Sequence, residues 1–428
     1  MSKVAALPPS VTGPLITFAT LMGAVVGSAI VFWFWRNLSP PVAALILIFS
    51  VAVPCIAIEF RRNISRNVFD FTRPNFCLQR TLRKIAALWS IYAVLVFCYA
   101  ILPVYRLELY VPFHWLLWNF LPTFLALSVP YIALVDAYLV EPDDSLHAWG
   151  KYIFASSGMP KAKDINYLLG WVVKGFFLPL MFCFLCGQIT ALQAYGTFSL
   201  PSSRYVDVLS HVFEFLYTTV FFIDVLVATA GYMLTMRVLG TEIRSTEPTV
   251  IGWLIAVICY PPFWSSIYDS YFVYNDHRTW GSWLADTPAL YTIWAVCILL
   301  AVTVYAWATV CFGIRFSNLT HRGIVTSGPY RWTKHPAYVS KNISWWLVSV
   351  PFLPDDGSAW TALQFCLGLA GVNLIYFLRA KTEERHLSQD PVYREYAAYI
   401  RKHGIFRWLA WRPGRLAGDI PRGTPDVI

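Results

Sequence analysis

Between Ser327 and Asn342 the chain reads SGPYRWTKHPAYVSKN, and further on, from Arg379 to Leu387, it reads RAKTEERHL. These stretches gather the side chains that hold and activate a small polar molecule. Arg331, Lys334 and His335 supply cations, Glu383 and Glu384 a carboxylate pair, and Tyr330, Trp332 and Tyr338 aromatic faces. Paired carboxylates accept from hydroxyls or bind an ammonium. Aromatic faces attract cationic groups. Gly328-Pro329 and His335-Pro336 mark two turns, the second with proline suited to open a helix. Taken singly, each is equally a plain loop turn, a helix start or a solvated helix end. Their order around one hydrophobic hairpin points instead to a site at a membrane surface.

The chain that must position them is apolar. Of 428 residues, 57% are hydrophobic, 17% aromatic and only 13% charged, against roughly 25% charge in soluble domains. Apolar runs of about 20 residues, the length that crosses a bilayer, recur throughout. The fold class expected is all-α: a polytopic integral membrane protein with ten transmembrane helices. The spans are drawn at residues 13–35, 41–60, 85–105, 112–140, 167–195, 211–236, 249–268, 289–313, 337–353 and 359–380. The first is read as a retained anchor rather than a cleaved signal.

Charge sets the orientation. On the assumption that the N-terminus is cytoplasmic, only Arg36, Arg106, Arg204 and Arg278 fall on outer loops, while most of the 33 Lys and Arg fall on inner ones. The positive-inside rule then gives N-in and C-in. The net charge of +9 is therefore topological, with attraction to anionic headgroups, and not a nucleic-acid signature. The nine cysteines imply no disulfide framework. Cys183 and Cys186, spaced CxxC, fall mid-span and are expected to pack as small apolar residues. No metal-ligand cluster is expected.

Ionisable residues within spans are costly and default to function. Lys174 and Asp224 are expected to form a structural ion pair, or else a substrate or proton path. Glu59, Asp136 and Glu214, near span ends, are expected to reach toward the headgroups. The sequons at Asn63, Asn318 and Asn342 fall on the inner side and are expected to be unmodified. After the last span, Asp390-Pro391 should cap a surface helix with Val392, Tyr396, Tyr399 and Ile400 on one stripe, ending at Gly404.

NLTHRGIVTSGPYRWTKHPAYVS, a hydrophobic hairpin, RAKTEERHL and YREY, in that order, resemble the isoprenylcysteine carboxyl methyltransferase and phospholipid methyltransferase group. Those are integral membrane enzymes that use S-adenosyl-L-methionine. The resemblance covers residues 308–408. It implies that Gly328, Pro329, Tyr330, Lys334, His335, Pro336, Tyr338, Glu383 and Glu384 surround the cofactor at the cytosolic face, with His335, Tyr338 and Arg331 as catalytic residues. Two positions depart from the pattern. Lys334 replaces an arginine and its bidentate fork, and Ser340 stands where glycine is common.

Three functions follow, the first the best supported. The first is a methyltransferase acting on a lipid-linked or lipophilic acceptor, by carboxyl O-methylation or by phospholipid or other lipid methylation. The second is an NADPH-dependent sterol or lipid reductase, with Arg322, Arg401 and Lys402 meeting the 2′-phosphate. The third is a non-enzymatic lipid transporter or scaffold. Residues 1–245 form an N-terminal membrane region of unread purpose, 246–410 the methyltransferase-like domain, and 411–428 a disordered tail. Arginine outnumbers lysine, which suits a bacterial inner membrane better than the endoplasmic reticulum.

Overall fold

A computed structural model of the chain describes residues 6–34, 37–64, 68–155, 159–195 and 205–408; the expected tail at 411–428 lies outside them. In chain order the helices are α1 (Pro14–Ser28), α2 (Pro40–Ile64), α3 (Leu78–Ile101), α4 (Val111–Tyr138), α5 (Ser145–Ala155), α6 (Ala162–Tyr195) and α7 (Tyr205–Met233). After strand β1 (Ser245–Thr246) come α8 (Val250–Val257), α9 (Phe263–Tyr271), α10 (Trp280–Trp283) and α11 (Pro288–Phe312). Strand β2 (Thr320–His321) then precedes α12 (Pro336–Ser349), α13 (Ala359–Leu387) and α14 (Pro391–His403). The chain is an all-α polytopic membrane protein, and the two short antiparallel strands pair only with each other.

Among the described residues eight helices, not ten, are long and apolar enough to cross a membrane. The seventh expected span breaks into α8 and α9 around Pro261-Pro262, since proline has no amide hydrogen to give and its ring clashes with the preceding turn. The ninth shrinks to the 14 residues of α12, which stops just before Pro351. Both still carry the chain between faces. The start of α8 is tied to the end of α11 by the β1–β2 pair. On the opposite face, the loops after α9 and α12 meet where the Asp355 amide donates to Asp276 at 2.8 Å and Arg278 approaches Asp355 at 3.4 Å. The N-terminal segment shares the β2 face, its Val11 amide donating to Ile324 at 2.9 Å.

Two buried arginines knit that face together. Arg322 donates to the carbonyls of Thr241, Gly231, Phe316, Leu234 and Ile314. Arg315 donates to Gly240 and pairs with Glu59 at 2.7 Å. They satisfy carbonyls that the ends of α7 and α11 would otherwise bury unpaired. Glu59 and Asp136, expected to reach outward, are instead buried, and Asp136 pairs with Arg80 at 2.9 Å and Lys84 at 2.8 Å. A short carboxylate stem keeps its charge inside when cations from neighbouring elements come to it. Glu214 alone of the three is exposed.

The expected Lys174–Asp224 pair does not form. Lys174 sits over the ring of Trp171 on its own helix, 4.2 Å from the centroid, and Asp224 accepts from Tyr305 and Thr309. Lys174 is met on its own helix and Asp224 from α11, so neither reaches for the other. Cys183 and Cys186 are buried in the main apolar core. The three sequon asparagines spend their side chains inside the fold: Asn63 on Arg237 and Val238, Asn318 on Tyr260 and Arg379, Asn342 on Asn373.

Candidate active site

Pro336 opens α12 directly after His335, which sets Tyr338 one helical turn beyond the histidine. The α12–α13 hairpin then returns Glu383 and Glu384 to the same end. His335 Nε2 lies 3.1 Å from Glu384 Oε1, and the Tyr338 hydroxyl donates to Glu383 Oε2 at 2.8 Å. The imidazole stacks on the Tyr338 ring at 5.5 Å and 8°. The histidine–proline step and the acidic pair, separate in sequence, are thus one cluster.

The two glutamates differ in what remains free. Glu384 Oε1 is shared by His335 and Lys334, while Oε2 takes Lys381 at 3.2 Å. Its charge is spent on the protein. Glu383 is bonded through Oε2 to Tyr338 and lines the cavities on both sides of the cluster. Of the two glutamates it is Glu383 that faces the cavities.

The larger cavity, ≈ 1010 Å³ with its opening to solvent included, is lined by Tyr330, Lys334, His335, Tyr338 and Glu383 among the expected residues. The smaller, ≈ 550 Å³, lies beneath α14 and shares Tyr330, Lys334, His335 and Glu383 with it. Gly328 shapes the approach without lining either. Its φ is +59°, and a Cβ there would run into the Cys311 sulfur, so the left-handed turn requires glycine. Pro329 and Pro336 are buried in the turns they make. Arg331, expected to be catalytic, is exposed and lines neither cavity. The Ser340 departure is absorbed locally, because its hydroxyl donates to the Pro336 carbonyl at 2.8 Å.

Helix α14 closes the site from outside the membrane. Asp390 caps it by accepting from the Val392 amide, Pro391 takes the first position, and Gly404 follows its end. Its buried stripe is Tyr393, Tyr396 and Ile400; Val392, expected on it, is exposed. Tyr396 donates to the Tyr330 carbonyl at 2.7 Å and the Thr333 carbonyl at 3.2 Å, fixing the loop before α12. Burial raises the Tyr330 and Tyr396 phenols well above their usual range, so both keep their protons.

Several cavity residues carried no role in the sequence reading. Arg379 donates to Asn318 at 2.6 Å and lies 5.4 to 5.9 Å from the ring centroids of Tyr260, Tyr338 and Tyr376. Its place in the RAKTEERHL run was a signal, but of its aromatic neighbours only Tyr376 is near in sequence. Tyr338 comes from α12 and Tyr260 from the turn between α8 and α9. Lys341, Tyr305 and Thr309 line the membrane end. By contrast Arg322, expected to meet a phosphate in the reductase reading, is committed to five backbone carbonyls.

The walls suit the cofactor that the resemblance implies. Glu383 and the aromatic faces fit a sulfonium and ribose hydroxyls. Arg315 Nε, His321 Nε2 and Tyr393 OH are buried without hydrogen-bond partners, and all three residues line the smaller cavity. His321 Nε2 is 3.2 Å from Asp390 but out of line for a hydrogen bond. Such orphaned groups are costly unless a ligand answers them. Among the described residues no His, Cys, Asp and Glu cluster has the makings of a metal site.

Residues 289–389 match the model of the isoprenylcysteine carboxyl methyltransferase (ICMT) family. The match takes in α11 from its second residue and all of α12 and α13, and stops short of α14, so it begins earlier and ends sooner than the resemblance in sequence. No curated protein and no solved structure matches the chain. A domain of this family implies a membrane methyltransferase, and its members generally use S-adenosylmethionine.

Proposed function

We propose that the protein is an S-adenosylmethionine-dependent methyltransferase of the membrane that acts on a lipid-linked or lipophilic acceptor. The observation that supports this most is the joining of His335 to Glu384 and Tyr338 to Glu383 across the α12–α13 hairpin. Glu383, Tyr338 and the orphaned donors of the smaller cavity would hold the cofactor, with Tyr330, Lys334 and His335 forming the shared wall. When bound, the cofactor supplies an electrophilic methyl group. The chain's own contribution is positioning and exclusion of water, an effect worth up to about 7–11 kcal/mol. Glu384, neutralised by Lys334, Lys381 and His335, holds the wall in place.

The acceptor enters from the bilayer, since the larger cavity extends among α8, α11, α12 and α13, away from α14. Residues 246–410 carry the site, since every residue lining either cavity falls there, and α7 of the 1–245 region packs against α11 behind it. The positive-inside distribution assigns the site's face to the cytoplasm, and a bacterial inner membrane is the proposed location. Membranes containing the protein, given S-adenosylmethionine labelled in its methyl group, should transfer label to extractable lipid, and Glu383→Gln should abolish transfer. Consumption of NADPH without methyl transfer would refute the reading and favour a reductase.

A further inference from the structure

At the membrane end of the larger cavity an acid from the N-terminal region meets two hydroxyls of α11. Tyr305 and Thr309, one turn apart, both line the cavity. The Tyr305 hydroxyl donates to Asp224 Oδ2 at 2.8 Å and the Thr309 hydroxyl to Oδ1 at 2.5 Å. Asp224 comes from the interior of α7, outside the family-matched segment, and is 5% exposed. A carboxylate at such depth is expensive and marks function. Lys341 faces the same space. Its ammonium lies 5.5, 5.2 and 5.4 Å from the ring centroids of Tyr305, Trp345 and Tyr376, and it forms no ion pair among the described residues. It stands six residues beyond His335 on α12, about 9 Å deeper.

We propose that Tyr305, backed by Asp224 and faced by Lys341, takes the proton from a hydroxyl-bearing lipophilic acceptor. The substrate class is then a phenol or similarly acidic alcohol, which rests on the methyltransferase reading above. A carboxylate acceptor is already ionised, needs no base and meets the charge of Asp224. An amine acceptor arrives as an ammonium, opposed by Lys341. A neutral hydroxyl suits both charges. Its O–H bond breaks as the proton passes to the Tyr305 oxygen, whose own proton moves to Asp224, and Lys341 stabilises the oxyanion. That oxygen then forms the O–CH3 bond, while the pair of the broken S–CH3 bond stays on the sulfur of the donor. Tyr305 is the catalytic residue here; Asp224 acts through it. The other ionisable groups facing them are Tyr260 and the Cys259 thiol beyond α8, and Tyr376 and the Arg379 guanidinium on α13.

The test uses the full-length protein and a long-chain alkyl nitrophenol, whose ionisation is read directly from its absorbance. About one unit below the probe's own pKa, wild-type protein should bind it as the nitrophenolate, and Asp224→Asn and Lys341→Gln should bind it mainly neutral. With an alkyl phenol acceptor, Tyr305→Phe and Asp224→Asn should lower kcat by roughly 100-fold or more. Raising the pH, which ionises the phenol in solution, should restore part of the Asp224→Asn loss, as a merely structural lesion would not. A probe that stays neutral on the wild type overturns the proposal, as does a farnesylcysteine carboxylate methylated equally well by wild type and Asp224→Asn. Calorimetric binding of S-adenosylmethionine separates the outcomes: retained binding with a neutral probe defeats this inference alone, and absent binding defeats the methyltransferase reading.

Discussion

Tyr338 donates its phenolic hydrogen to Glu383 Oε2 at 2.8 Å across the α12–α13 hairpin. This bond fixes the carboxylate between two cavities and turns the tyrosine face toward Arg379, 5.4 Å from its centroid. Anionic and cationic groups are thereby held apart on either side of one aromatic wall. A zwitterionic ligand with a sulfonium suits that separation.

The loop before α12 depends on α14. Tyr396→Phe removes the donor to the Tyr330 and Thr333 carbonyls and should cost about 1 kcal/mol. S-adenosylmethionine affinity, measured by calorimetry, should weaken several-fold while the protein stays folded. Unchanged affinity would free the loop from α14.

Arg322 is a keystone rather than a phosphate ligand. Arg322→Met should withdraw a donor from five carbonyls, of which Gly231 and Leu234 keep a threonine hydroxyl, and lower stability by about 2–4 kcal/mol, read as an earlier thermal transition in detergent. Arg401→Ala and Lys402→Ala, at exposed positions of α14, should leave that transition nearly unmoved.

Burial pushes His321 down to about 4, against the opposing pull of Asp390. Below its ordinary value near 6.5 the unfolded chain takes a proton that the folded chain refuses. The contribution is therefore complete above pH 6.5 and lost as the pH falls toward 4, by up to about 3 kcal/mol. Thermal unfolding followed between about pH 7 and pH 4.5 should show a shallower acid loss for His321→Gln than for wild type. Equal slopes would contradict it.

Hydropathy alone places the eight long helices, because α-helices are the economical way to cross hydrocarbon. It misjudged the region around Pro261-Pro262 and the end of α12, where proline overrides apolarity. The His335, Tyr338 and Glu383 cluster was legible from local motifs, since each lies at a helix end. Asp224, Tyr305 and Lys341 were visible only as isolated polar residues in apolar runs. Their meeting depends on how α11 packs between α7 and α12, which no local pattern encodes. The surface stripe of α14 slipped from Val392 to Tyr393 because the helix turns its tyrosines, not its aliphatic residue, toward Ile324 and Leu387.

Titrating the purified full-length protein with S-adenosylmethionine by calorimetry, beside Glu383→Gln, tests the central claim most directly. Loss of a charge-assisted bond costs about 1.5–3 kcal/mol, so saturable binding to wild type should fall roughly 10- to 100-fold in the variant. Equal binding by both proteins, or none by the wild type, would contradict the assignment of Glu383 and the site built around it.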